Sequence, residues 1–144
     1  MDKVDVRHGG AKKIASFRDL KVYMAAFELQ QDIFVVTKTF PKEETYSLTD
    51  QVRKSSRSIG GNIAEAWQKR RYEAHFVSKL TDADAEQAET QHWLDTALAC
   101  EYLTVKEYEQ LFAKCMGIGR MLGSMISNAG PFCRQYPKRA TVAD

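Results

Sequence analysis

Ser47–Arg71 reads SLTDQVRKSSRSIGGNIAEAWQKRR. Leu48, Val52, Ser55, Ile59, Ile63 and Ala66 recur at three- and four-residue steps, the repeat of a helix with one apolar face. At about 100° per residue these positions share one side, and Arg53, Lys54 and Arg57 fall on another. Gly61 and Ala64, both small, sit beside the basic residues. One helix therefore carries an apolar stripe, a basic stripe and a place where another backbone can come close. The Gly60–Gly61 pair costs roughly 1 kcal/mol per glycine relative to alanine inside a helix, and close packing is the expected compensation. Asn62 and Glu65 lie beside the apolar stripe, opposite Trp67. A carboxylate and an amide placed there need partners. They make either a polar contact at a subunit seam or ligand site, or a hydrogen bond that holds two helices in register.

Working outward, the N-terminal side predicts one further helix. Ser16 and Asp19 have the spacing of a capping box, and Leu20, Tyr23, Met24, Phe27, Phe34 and Thr37 follow helical steps up to Phe40-Pro41. The residue before proline is pushed out of the α region, so the helix stops there. Ser47 is the expected N-cap of the next helix, with Asp50 near its positive end. On the C-terminal side, Phe76, Leu80, Ala83, Leu94, Ala97 and Leu98 mark a third core face, with Gln87 and Gln91 as polar intrusions. Thr104 and Glu107 form a second capping box, followed by Tyr108, Leu111, Phe112, Cys115, Leu122, Met125 and Ile126. Asn128, Gly130 and Pro131 are stop signals. The expected organisation is a flexible arm over 1–16, helices over about 17–39, 47–69, 72–102 and 105–128, and a flexible basic tail over 129–144. Four helices with short links and no convincing strand make an up-and-down antiparallel four-helix bundle.

The 144 residues carry a net charge of only +2, but the charge is unevenly spread. Ser47–Arg71 holds six basic and two acidic residues, whereas Tyr72–Tyr102 holds one lysine and seven acids. Asp82, Glu86 and Glu89 form a carboxylate row at helical spacing, self-repulsive unless cations face it. Arg53, Lys54 and Arg57 are the expected counterparts, in the same chain or in another subunit. The three cysteines, Cys100, Cys115 and Cys133, are widely spaced without a CxxC, so neither a disulfide framework nor a structural zinc site is expected. The N-terminus lacks the apolar core of a signal peptide, no run is long enough to span a membrane, and a cytoplasmic location is expected.

Catalytic chemistry is not expected. Glu89 and His92 form one ExxH, but a carboxylate-bridged metal bundle needs that spacing on two helices, with glutamates from two others. Cys115 falls on an apolar stripe, where its ordinary role is a small core hydrophobe. Nucleotide-binding and nucleophile-elbow motifs are missing. The chain is read as non-enzymatic, without metal or cofactor.

SFRDLKVY at Ser16–Tyr23, TFPKEETYSLTDQVRKSSRSIGGNIAEAW at Thr39–Trp67, FVSKL at Phe76–Leu80 and ETQHWLDTALACEYL at Glu89–Leu103 together resemble a small bacterial four-helix-bundle family. That family is known from open reading frames in 23S rRNA intervening sequences, and it includes the accessory variability proteins of diversity-generating retroelements. The resemblance covers Phe17–Asn128. This chain has Gly60-Gly61 where many members have Pro-Ser, and Ala83-Asp84 where many have Gly-Ser. The resemblance implies a homopentameric ring and a connection to nucleic acid, with a reverse transcriptase or another protein as a further partner.

Two functions are open on the sequence. In the first, Arg53, Lys54, Arg57, Lys69, Arg70 and Arg71 contact the phosphates of RNA or DNA, repeated around a homo-oligomeric ring. Binding is then salt-sensitive, and backbone contact is expected rather than base stacking because no aromatic is interleaved with the cations. In the second, the same basic residues pair with Asp82, Glu86 and Glu89 within or between subunits. Gly60, Gly61, Asn62 and Glu65 then lie at a seam, and the ring is a scaffold for a protein partner. The first is the leading expectation.

Overall fold

The computed structural model describes residues 13–134. Four long helices run over Lys21–Val36 (α1), Asp50–Gln68 (α2), Glu73–Ala99 (α3) and Val105–Ser127 (α4), with a short fifth over Ala129–Arg134 (α5). No strand occurs among the described residues. The expected 1–12 portion of the arm and 135–144 portion of the tail lie outside them.

The local signals explain most helix ends. Ser16 and Asp19 do form a capping box, but it starts a separate 3-10 turn over Phe17–Asp19. Leu20 is then extended and buried, and α1 begins at Lys21. Phe40, extended at ψ 148°, leads into Pro41 as its neighbour requires. Ser47 is not a cap. It lies inside a wide π turn over Thr45–Thr49, which places Leu48 and Thr49 in the interior ahead of α2. Thr104 and Glu107 form the predicted capping box of α4.

α3 ends in a Schellman turn: Tyr102 N–H donates to Ala97 O at 2.8 Å and Glu101 N–H to Leu98 O at 2.9 Å. Glu101 takes the left-handed conformation at φ 64°. Asn128 ends α4, but the chain resumes as α5 where a flexible tail was expected. Pro131 fits there because it falls in the first turn, where its missing N–H costs nothing. Phe132 of α5 then packs on Phe76, with ring centroids 5.9 Å apart.

The helices close a ring of neighbours, each of α1 to α4 packing on the next and α4 on α1. Short links between adjacent helices force antiparallel pairs, and the cross-contacts run in opposite chain order. Ser55 meets Thr90 while Glu65 meets Lys79. Tyr108 meets Asp95 while Met116 meets Gln91. The core holds Leu29, Ile33, Val52, Ile59, Ile63, Trp67, Phe76, Leu80, Leu94, Ile118 and Leu122, all nearly inaccessible. Each such side chain contributes about 1.5–3 kcal/mol by leaving water.

Inside this apolar interior the Ser55 and Thr90 hydroxyls pair at 2.9 Å, a bond that any slip of α2 along α3 would break. Small residues permit two close approaches. A Cβ on Gly60 would come within 3.4 Å of the Tyr23 ring, and one on Gly119 within 3.1 Å of Gln87 Nε2. Gly61 faces open space, so no packing within the chain compensates its cost.

Candidate nucleic-acid interface

Phe34 lies on the last turn of α1, half-buried, with cations gathered over it. Lys38 Nζ is 4.9 Å from its ring centroid, Arg53 Cζ 4.8 Å and Arg57 Cζ 5.7 Å. The negative face of an aromatic ring attracts a cation by about 0.5–1 kcal/mol at exposed sites. Arg53 and Arg57 are one helical turn apart, where like charges repel by a few tenths of a kcal/mol. The ring offsets that repulsion.

Arg53 is further fixed by α1. Its Nε donates to Thr37 Oγ1 at 2.8 Å and its Nη2 to the Phe34 carbonyl at 3.5 Å. Thr37 is buried and donates its own proton to Ile33 O at 2.7 Å, which aims the acceptor lone pair at Arg53. The other donors of the guanidinium fork remain for a ligand.

Beside this cluster lies a solvent-open groove of about 790 Å³. Arg53, Lys54 and Arg57 line it, with Asp50 and Gly61 of the same helix and Tyr46 from the turn before it. Tyr46 is 81% exposed. Among the described residues no carboxylate lies within 4 Å of the charged nitrogens of Arg53, Lys54 or Arg57, whereas Lys79 and Lys114 do make ion pairs. The expected pairing of Arg53 and Arg57 with the acidic row is therefore not made within the chain. Those arginines lean toward α1, whereas Asp82, Glu86 and Glu89 lie on α3 beyond the other flank of α2.

The remaining sequence candidates fall into different environments. Lys69 and Arg71 are exposed at the α2–α3 link, and Lys69 is about 18 Å along the helix axis from Arg57. Arg70 is not an exposed contact residue. It is only 8% exposed, its Cζ sits 3.6 Å over the Trp67 ring, and its Nη1 donates to Trp67 O at 2.7 Å. Its role is to close the end of α2.

Glu65 makes the inter-helix bond that one of its readings required, pairing with Lys79 of α3 at 2.7 Å. The Lys79 hydrogen bond and charge hold its carboxyl below the usual range. Asn62 bonds only within its own helix, Nδ2 to Ser58 O at 2.9 Å. Asp82 is 3.8 Å from Lys79. Glu86 is pushed up by partial burial, then by Glu89 and Asp82, against a smaller opposing pull from Lys54. Glu89 accepts from Trp93 Nε1 at 3.0 Å, and His92 packs edge-on against the same indole.

Among the described residues no cluster of metal-ligating side chains is present and no helix is long and apolar enough to cross a membrane. Cys115 is buried, and that burial pushes its thiol up to about 12, which suppresses the nucleophilic thiolate.

Sequence reasoning missed Phe34, Lys38 and Tyr46 as members of this surface. Phe34 read as one of the apolar positions of its helix, and Lys38 carried no signal. Tyr46 reaches the groove through the π turn at Thr45–Thr49, which helical spacing in the sequence does not reveal.

The fold and groove define an all-helical bundle protein with a basic, solvent-open groove along its second long helix. The chain belongs to the 23S rRNA-intervening sequence protein family, whose match spans residues 18–124. It is similar to a crystallised protein of unknown function from the S23 ribosomal protein family of Bacteroides thetaiotaomicron. That likeness has 32% identity and a TM-score of 0.68, over 74% of this chain and 95% of the other. No curated protein matches it.

Proposed function

We propose that this protein is a non-enzymatic, ring-forming bundle, a homopentamer by the family resemblance, that binds RNA or DNA through the basic groove along α2 of each subunit. The observation that carries this reading is the state of its cations. Arg53, Lys54 and Arg57 line an open groove with no carboxylate within 4 Å of their charged nitrogens, and Arg53 is held in place by Thr37 and Phe34. Fixed arginine forks match phosphate oxygens, and repetition around a ring multiplies weak contacts. A cytoplasmic setting and a reverse transcriptase or other protein partner complete the proposal. Lys69 and Arg71 are proposed as outlying phosphate contacts.

The test is fluorescence anisotropy with a labelled structured RNA across a salt series, comparing the protein with a doubly reversed variant, Arg53→Glu and Arg57→Glu. The expected result is a linear fall of log affinity with log salt, and a slope shallower by about 1.4 to 1.8 in the variant if each arginine neutralises one phosphate. Light scattering on the same samples should show an unchanged assembly. Equal affinity and slope for the two proteins would end the proposal.

A second reading is favoured by the acidic row of α3. Glu86 is raised partly by its like-charged neighbours, so the row is under-neutralised and complementary to the basic groove of another copy. On that reading the groove is spent on assembly, and the reversed variant dissociates.

A further inference from the structure

We propose that the groove selects unpaired nucleotides, with Tyr46 stacking on a base while Arg53, Lys54 and Arg57 hold the flanking phosphates. The inference rests on the nucleic-acid reading above and adds to it a substrate class: single-stranded rather than duplex.

Tyr46 is the most exposed large apolar side chain of the described residues, at 81%, and it stands on the lip of the basic groove rather than elsewhere on the surface. Its backbone is anchored. The residues that follow it in the π turn, Leu48 and Thr49, are buried. Thr45 Oγ1 donates to Lys42 O at 2.7 Å, and the preceding Glu44 accepts a 2.7 Å bond from the Tyr102 hydroxyl. The ring thus projects into solvent from a fixed base, the arrangement of a preorganised stacking platform.

The groove, at about 790 Å³ and open to solvent, has room for a nucleotide or two beside the Tyr46 ring. In a duplex the base faces are covered by their neighbours, so Tyr46 gains nothing there. On a single strand every base offers a face, and stacking is indifferent to its identity. The phosphates on either side then reach cations that no carboxylate holds within ion-pair distance.

The experiment uses fluorescein-labelled 12-nucleotide uridylate and thymidylate strands and a 12-base-pair RNA duplex, titrated at low salt against the full-length protein, Tyr46→Ala and Tyr46→Phe. The expected result is a single-strand preference in the parent protein, about tenfold weaker single-strand binding in Tyr46→Ala, unchanged duplex binding, and near-parental behaviour in Tyr46→Phe, which keeps the ring. The uridylate and thymidylate arms tell whether the strand is RNA or DNA. If Tyr46→Ala binds single strands as the parent does, or loses single strand and duplex equally, stacking is overturned while phosphate binding stands. If the parent binds none of the probes, the nucleic-acid reading fails and this inference fails with it.

Discussion

Two kinds of seam hold this bundle together, and they treat their cations in opposite ways. At the α2–α3 seam Lys79 meets Glu65 and lies near Asp82. At the α1–α4 seam Lys114 meets Glu28 and Asp32. At the α1–α2 seam Arg53 and Arg57 meet an aromatic ring, a hydroxyl and a carbonyl. The lysines are spent on carboxylates and the arginines are positioned without being neutralised. Exposed ion pairs are worth about 0–1 kcal/mol, so the lysine seams mainly fix which helix faces which. A ring costs an arginine little of its charge, so the α1–α2 seam keeps a positive surface while still packing.

The difference also shows in pH. Hydrogen bonds that the lysines donate, Lys79 to Glu65 and Lys114 to Asp32 and then Glu28, hold both above their ordinary 10.5. Glu65 and Glu28 are held below their ordinary 4.5. The lysine contribution is complete below 10.5 and is lost as pH rises through the raised values. The glutamate contribution is complete above 4.5 and is lost as pH falls through the lowered ones.

The sharpest way to break the comparison is to remove the ring. Phe34→Ala should lower stability by about 2 kcal/mol, roughly half the cost of a fully buried phenylalanine, and scatter the cations it gathers. Lys114→Met should shift Tm by no more than about 4 °C. Thermal melts of the two side by side decide the matter; a larger loss for Lys114→Met would mean that the carboxylate seams carry the fold.

Gly61→Glu converts one kind of seam into the other. The position is open, so the side chain fits, and replacing a mid-helix glycine should add about 0.5–1 kcal/mol. The new carboxylate stands one turn from Arg57 and should weaken nucleic-acid affinity about fivefold. A variant more stable in melts yet unchanged in anisotropy would show that the groove charge is not what binds.

The smallest effect belongs to the acidic row. Because Glu86 is raised in the folded chain, ionising it opposes folding. The penalty is absent below the ordinary carboxylate range and full above the raised value. Glu86→Gln should therefore stabilise by about 0.5 kcal/mol at neutral pH and by nothing near pH 3. Melts at the two pH values test the sign; equal shifts at both would place the cause elsewhere than in charge.

The bundle was legible because its signals are periodic and local. Val52, Ile59 and Ile63 repeat at helical steps, and Thr104 with Glu107 caps α4 as the spacing dictates. What was not legible depends on residues that periodicity leaves free. Arg70 follows the last turn of α2, so nothing in the repeat says that it folds back over Trp67. Gly61 sits beside a glycine that is packed, yet points the other way. Phe34 shares one helix with core residues, and its cations arrive from a second helix. The α5 turn was hidden because Gly130 and Pro131 read as terminators when both stood in the first turn of a new helix.

The π turn at Thr45–Thr49 has a consequence for how the groove could be altered. A π turn accommodates more residues per turn than the α-helix that follows it, and so behaves like a one-residue insertion. Deleting Ser47, which is exposed, would remove that surplus residue and leave a regular helix, with the segments on either side in their present phase. The turn is therefore the place where the chain can lose one residue without breaking the packing before or after it. A single-codon deletion there would act as a local edit, redrawing the lip of the groove while the cations that line it keep their places.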